Sequence, residues 1–213
     1  KAERGGPAGL IAPWDEGGRG KFAGQPAVVI GGSSSVGQYA IQLAKLSGYD
    51  PIITIASAHN EAYCKSAGAT HVIDYHKVPY SALPAAVAEI ASSVPLVYDA
   101  ISEADSQKAS WEIAAPQGIV IVTRAPVVGK IGQEAEDGKR VFYTYGVVHT
   151  ADNQEKGGIL YRVLPSLLAE GLIKPNAVEV LPGGLAGIVG GLERLKAGKV
   201  SGVKLVAHPQ ETA

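Results

Sequence analysis

The chain has 213 residues, 46% of them apolar and 18% charged, with a formal net charge of −1. This composition suits one medium-sized domain with a buried core and excludes a disordered tail. The near-neutral balance excludes a global field that would draw the chain onto nucleic acid or anionic lipid, and no apolar run is long enough to span a bilayer or to serve as a signal peptide.

A lone cysteine, Cys64, leaves no internal disulfide and no cysteine-based structural zinc site, and it favours a reducing, cytoplasmic setting. Residue 1 is Lys and methionine is absent. The polypeptide is therefore expected to be a processed, truncated or partial product.

Residues 1–25 are rich in Gly and Pro and predict a connecting segment. Beyond them, short β-branched runs alternate with helical stretches, the pattern of βαβ units in a parallel sheet. Strands covered on both faces are continuous apolar runs. These are predicted at Ala27–Ile30, Ile52–Ile55, His71–Asp74, Leu96–Asp99 and Ile119–Val122, with a sixth at Val141–Tyr145. Between them, a helix over Val36–Ser47 places Val36, Ala40, Leu43 and Ala44 on one face, with Gly48 closing it. His59–Ala67 is a second helix, ended by Gly68. Ser81 is placed to cap a third, running to Ala91, and Ser102 a fourth, containing Trp111 and Ile113. Gly157–Leu172 predicts a longer helix with Leu160, Val163, Leu164, Leu167 and Leu168 inward. The tail reads as a strand at Ala177–Leu181, a helix at Leu185–Ala197 with Leu185, Ile188, Leu192 and Leu195 on one stripe, and a strand at Lys204–Ala207.

The run Val28-Val-Ile-Gly-Gly-Ser-Ser-Ser-Val-Gly37 joins the first strand to the first long helix. Small residues let the main chain approach a pyrophosphate, whose oxygens then meet amide groups at the helix N-terminus. The match to G-x-G-x-x-G is imperfect, because Ser34 stands at the middle glycine. Its setting, after a strand and opening a helix, is the one the motif requires. The expectation is an α/β, doubly wound, six-stranded parallel-sheet Rossmann fold. NAD-binding units usually place Asp or Glu at the end of the second strand. Here that strand runs into Ala56-Ser-Ala-His-Asn60, without a carboxylate. Ser57, His59 and Asn60 offer donors for a 2′-phosphate, and Tyr75 lies past the third strand. NADP(H) is therefore preferred, although no Arg or Lys decides the matter, and helix capping is the plainer reading of Ser57 and Asn60.

Three segments resemble one family. Gly31-Gly-Ser-Ser-Ser-Val-Gly-Gln-Tyr-Ala-Ile-Gln-Leu-Ala-Lys45, Lys65-Ser-Ala-Gly-Ala-Thr-His-Val-Ile-Asp-Tyr75 and Gly198-Lys-Val-Ser-Gly-Val-Lys-Leu-Val206 are similar to the zinc-independent medium-chain dehydrogenases/reductases, especially fungal enoyl-reductase and quinone-reductase-like proteins. The resemblance implies that Ser33, Ser34, Ser35 and Val36 hold the pyrophosphate, and Ser57, Asn60 and Tyr75 the 2′-phosphate side. It implies that Ile101 and Thr123 flank the nicotinamide ribose and ring, and that Val200–Gly202 approaches the cofactor. Members carry a GroES-like catalytic domain before this half, so residues 1–25 read as its remnant. Residues 26–175 read as the dinucleotide domain, and 176–213 as a piece returning toward the catalytic domain.

Hydride transfer needs no protein nucleophile, since the cofactor carries the chemistry. Tyr143, Tyr145 and His149 are possible proton donors, but no spacing singles one out; packing is the plainer reading of the tyrosines, and the catalytic residues stay unassigned. Cys64 inside a helix reads as a buried hydrophobe rather than a reactive thiol. No metal motif, nucleophile elbow or Walker loop is present, and the Tyr-x-x-x-Lys pair of a short-chain dehydrogenase is missing after the fifth strand. The leading expectation is an NADPH-dependent reductase of an activated C=C bond or a quinone, acting on a small molecule. The alternative is an NADP(H)-binding fragment or module without turnover of its own. The sixth strand is a candidate edge for a homodimer.

Overall fold

The computed structural model describes residues 8–212. Residues 1–7 of the expected connecting segment, and Ala213, lie outside the described residues. The central strand β1 (Ala27–Ile30) is buried at all four positions. Its side chains alternate between two apolar layers, as the strand period demands. Val28 and Ile30 join Ile53, Ile55, Leu83, Val87 and Val97 on one side. Ala27 and Val29 join Ile41, Ala44, Ile52 and Cys64 on the other.

Strands β2 (Ile52–Ile55), β3 (His71–Ile73), β4 (Val94–Asp99), β5 (Ala114–Val122) and β6 (Arg140–Tyr143) complete one parallel sheet in the order β3-β2-β1-β4-β5-β6. This is the doubly wound arrangement, with the crossover direction reversing between β1 and β4. The register aligns the carboxyl ends at one level: Ile73 pairs with Ile55, Ile55 with Ile30, Ile30 with Asp99, Asp99 with Val122, and Val122 with Tyr143. Every loop that follows a strand therefore leaves the same edge. β6 ends before the expected Thr144-Tyr145, although the Thr144 amide still donates to the Val122 carbonyl at 2.8 Å.

Helix α1 (Ser35–Leu46) ends at Ser47, and Gly48 follows at φ +93°. Its inner face differs from the apolar stripe expected: Gln38, Ile41, Gln42 and Ala44 are buried, whereas Val36 is 47% exposed. The two glutamines are buried because they bind polar groups of a later segment. Gln42 donates to the Lys174 carbonyl at 3.1 Å and accepts from its amide at 2.7 Å, while Gln38 donates to Asn176 at 3.2 Å. Apolar periodicity is blind to such tertiary partners.

Helix α2 (Glu61–Ala67) follows a 3-10 turn at Ala58–Asn60 and is closed by Gly68. Helix α3 (Leu83–Ala88) is shorter than expected and is not capped by Ser81. Pro84 is tolerated only in a first helical turn, so the helix begins at Leu83 and Ser81 falls in the preceding 3-10 turn, Tyr80–Ala82. Helix α4 (Ala104–Ile113) is capped by Glu103 in a capping box with Ser106, not by Ser102, whose hydroxyl is engaged by Asp99. Helix α5 (Ala151–Ala169) begins six residues before the predicted Gly157 and runs through Gly157 and Gly158, whose low helix propensity marks a boundary in the sequence that the structure does not keep. Within it Leu167 is buried but Leu168 is 41% exposed.

Strands β7 (Val178–Val180) and β8 (Lys204–Val206) form a separate two-stranded parallel sheet, with helix α6 (Gly187–Lys196) between them. The α6 stripe exists but lies open: Leu185, Ile188, Leu192 and Leu195 are all exposed. The helix packs instead through glycine. A Cβ on Gly187 would sit 2.3 Å from the Pro182 carbonyl oxygen, and one on Gly191 2.7 Å from a Leu181 methyl.

Ile53 is fully buried in β2 between β1 and β3. Ile53→Ala is expected to remove about 2–5 kcal/mol, read in urea denaturation as a lower midpoint with an unchanged slope.

Candidate cofactor site

The turn between β1 and α1 is built from contacts that exclude side chains. A Cβ on Gly37 would lie 2.1 Å from the Gly31 carbonyl oxygen, and one on Gly32 would lie 2.0 Å from Thr54 Oγ1. Gly31, at φ +81°, faces Ile101, whose Cδ1 would be 2.6 Å from an added Cβ. The amides of Gly31 and Gly32 donate to the Ile55 carbonyl at 2.9 and 3.2 Å. Ser34 occupies the middle-glycine position without strain, since it is extended (φ −71°, ψ 159°) and caps α1 by accepting from the Gly37 amide at 2.9 Å. The first turn of α1 holds no acidic residue, so the positive end of its dipole is left for an anion.

A cavity of about 470 Å³ opens in front of this turn. Ser33, Ser34, Ser35, Tyr75, Ile101 and Ser201 are among its walls, and none of the described residues lining it is charged. Val36 is not on this wall, and lies exposed on the helix surface. Ser57 is buried at the end of β2 and donates to the Tyr75 hydroxyl at 3.0 Å. His76 Nε2 is 3.3 Å from the same Ser57 oxygen, and the Tyr75 and His76 rings lie 4.2 Å apart. Asn60 is buried and donates to Ser201 at 2.7 Å, with His59 Nε2 3.2 Å from that hydroxyl. The structure thus brings Ser57 and Tyr75 together, and ties Asn60 to the Val200–Gly202 loop.

His76 was not singled out by the sequence. Successive strand residues point to opposite faces, so a reading that places Tyr75 on the adenosine edge turns its neighbour away. The Asp74 side chain changes this by accepting from the His76 amide at 3.1 Å, and both rings reach Ser57.

At the nicotinamide end expected from the resemblance, one buried carboxylate organises two loops. Asp99 Oδ1 accepts from the amides of Ile101 and Ser102 at 2.9 and 2.7 Å, and Oδ2 from Ser106 Oγ at 2.7 Å. Ser102, at φ +54°, accepts in turn from the Thr123 amide at 2.8 Å. Thr123 therefore stands beside the Ile101 loop, though it does not line the cavity itself. Burial pushes the Asp99 carboxyl up from its ordinary range, opposed by its hydrogen bonds from Ser102, Ser106 and Ile101.

Tyr143 is half-buried against the core, while Tyr145 and His149 are exposed; none of the three lines the cavity. Cys64 is fully buried and its thiol is pushed up to about 11 by burial, in keeping with a packing role. Among the described residues no three His, Cys, Asp or Glu side chains gather as a metal set, and no helix is long and apolar enough to cross a membrane.

Sheet order, register and the glycine/serine turn at the crossover between β1 and β4 define the Rossmann class of α/β fold. A family model described as zinc-binding dehydrogenase matches residues 35–142. The trans-enoyl reductase ccsC of Aspergillus clavatus is 34% identical over 192 residues, covering 84% of this chain and 52% of that protein. The trans-enoyl reductase BOA5 of Botryotinia fuckeliana is 30% identical, with 85% and 51% covered. Among solved structures, the JamJ enoyl reductase superposes with a TM-score of 0.69 at 16% identity, over 86% of this chain and 56% of that one. A quinone oxidoreductase of Pseudomonas syringae pv. Tomato gives 0.67 at 23% identity, over 86% and 57%. The chain belongs to the medium-chain dehydrogenase/reductase family and covers the cofactor-binding half. It spans about half the length of the curated relatives it matches. The family is one of nicotinamide-dependent oxidoreductases.

The raised Asp99 carboxyl carries a sign for stability. A group that binds its proton more tightly when folded stabilises the fold fully below its unfolded value, about 3.9, and loses that contribution as pH rises through its folded value. Paired urea denaturations between pH 4 and 7 are expected to show Asp99→Asn gaining on the wild type as pH rises. A difference that is flat, or that slopes the other way, contradicts the raised value.

Proposed function

We propose that this chain is the cofactor-binding half of an NADP(H)-dependent, zinc-independent reductase, passing hydride to an activated C=C bond of an enoyl thioester or to a quinone. The observation that carries the cofactor choice is the end of β2, where Ser57, hydrogen-bonded to Tyr75 from the turn after β3, stands in place of a ribose-binding carboxylate. A carboxylate there would repel a 2′-phosphate, whereas hydroxyl and amide groups donate to it. The substrate class draws on the names of the relatives, which are trans-enoyl reductases and quinone oxidoreductases.

In this reading the amides of Ser33 and Ser35 and the hydroxyls of Ser33, Ser34 and Ser35, with the N-terminus of α1 at Val36, hold the pyrophosphate, the Ser34 amide being engaged by the Gly31 carbonyl. The close glycine contacts fit that role, since side chains at Gly31, Gly32 or Gly37 would fill the approach. Ser57, Asn60 and Tyr75 serve the 2′-phosphate side, with Ile101 and Thr123 against the nicotinamide ribose and ring. The bound nicotinamide supplies the hydride, and the protein's task is to orient it and exclude water. Residues 26–175 form the dinucleotide unit, and 176–213 bring Ser201 back over it. The edge position of β6 supports a homodimer formed by strand pairing, and the single buried cysteine supports a cytoplasmic setting.

Equilibrium titration is expected to give an NADPH affinity at least about tenfold above that for NADH, a difference of about 1.4 kcal/mol. Ser57→Asp is expected to abolish or reverse that preference. Equal wild-type affinities would overturn the NADP(H) reading. Oxidation of NADPH with a crotonyl thioester and with a quinone then separates the two substrate classes. Binding without turnover on either would favour a nucleotide-binding unit that is incomplete by itself, a reading suggested by its share of the relatives' length.

A further inference from the structure

The cavity in front of the phosphate turn is lined by uncharged residues, yet a phosphate monoester carries about −1.5 to −2 charges at neutral pH. Telling NADP(H) from NAD(H) therefore needs strong donors at the adenosine end, and the question is which side chains supply them. Asn60 and His59 already converge on Ser201 within the chain. Lys77 is the nearest lysine in sequence to Tyr75, but it lines a separate cleft with Glu61, Asp74 and Glu89. Around Ser57 the arrangement is different. Its buried hydroxyl is approached by two exposed rings, Tyr75 and His76, and the Asp74 carboxylate fixes the turn that carries them.

We propose that His76 is a specificity-determining residue for the 2′-phosphate, its Nε2 donating to a phosphate oxygen beside Ser57 and Tyr75. This rests on the NADP(H) reading and adds to it a ligand three residues past the end of β3 at Ile73, outside the loop after β2 where ribose discrimination is usually sought. The Nε2 contact with Ser57 is long, 3.3 Å, and Ser57 already donates to Tyr75, so Nε2 can turn from Ser57 to a phosphate oxygen arriving beside Tyr75, which lines the cavity as His76 itself does not. A donor shared with an anion forms a charge-assisted hydrogen bond, stronger than one between neutral groups. NADH lacks the phosphate and so gains nothing from this contact. His76 therefore acts on the difference between the two cofactors and leaves binding of the common part unchanged.

Calorimetric titration with NADPH, NADH, adenosine 2′,5′-bisphosphate and adenosine 5′-monophosphate tests this without relying on turnover. His76→Phe keeps a ring against Tyr75 and removes the donor; His76→Ala removes both. Both variants are expected to weaken NADPH and the bisphosphate about tenfold or more, from the usual strength of hydrogen bonds to charged groups. NADH and the monophosphate are expected to change less than about twofold. His76→Arg restores the bisphosphate preference, since a guanidinium is a stronger phosphate donor. If wild type discriminates and the Phe and Ala variants keep the same ratio, the His76 assignment is wrong while the NADP(H) reading stands. If only the Ala variant loses the ratio, ring packing is responsible and the assignment is likewise wrong. If wild type shows no preference, the NADP(H) reading itself fails. Because His76 is exposed, the variants are expected to keep the wild-type thermal midpoint, which is measured alongside.

Discussion

The close approach of the main chain to itself between β1 and α1 is the constraint on which the site depends. With Gly37 packed against the Gly31 carbonyl and Gly32 against Thr54, the strand turns into the helix with no space for a side chain. That geometry sets the helix N-terminus at the carboxyl edge of the sheet, where its unpaired amides and dipole favour an anion. The same turn meets the neighbouring loop, because Gly31 faces Ile101 and the Ala100 amide donates to the Ile30 carbonyl at 3.0 Å. A change at one glycine would disturb both walls of the cavity.

Asp99 extends this order across the next two strands. Removing a carboxylate from water is costly, and here the cost is offset by two backbone amides and a serine hydroxyl. Burial and hydrogen bonding act on its proton in opposite directions, and burial prevails. The result is a rigid corner: the carboxylate holds the chain at Ile101 and Ser102, and the Ser102 hydroxyl holds Thr123. The α4 cap follows from the same corner, since Ser102 is already engaged and Glu103 takes the capping position.

The polar cluster around Ser57 and Asn60 is assembled from three separate stretches of chain. Ser57 comes from the end of β2, Tyr75 and His76 from the turn after β3, and Ser201 from the loop ahead of β8. Gly202 adopts φ +68° there, and a Cβ on it would lie 2.8 Å from Asn60 Oδ1, so the loop can close only with glycine. α6 meets the second sheet through Gly187 and Gly191, which leaves its leucine stripe open. Amphipathic spacing identified the stripe, but not the face on which the helix packs.

The amino-acid sequence determined the βαβ order, a core stretch of each strand in the six-stranded sheet, the tight Gly/Ser turn and the family, although β4 and β5 begin earlier than predicted, at Val94 and Ala114. Those features are encoded locally, in continuous apolar runs, glycines at a tight turn and capping residues. Strand register and sheet order decided the rest. They brought Ser57, Tyr75 and His76 to one point and tied Asn60 to Ser201, residues far apart in the chain. Tertiary hydrogen bonds buried Gln38 and Gln42 against residues 174–176 and left Val36 outside, reversing what the apolar stripe of α1 suggested. The Asp99 corner took Ser102 from its predicted cap. The glutamines of α1 and the cluster around Ser57 share one physical cause: a polar side chain is placed by its distant partner, and local periodicity carries no record of that partner.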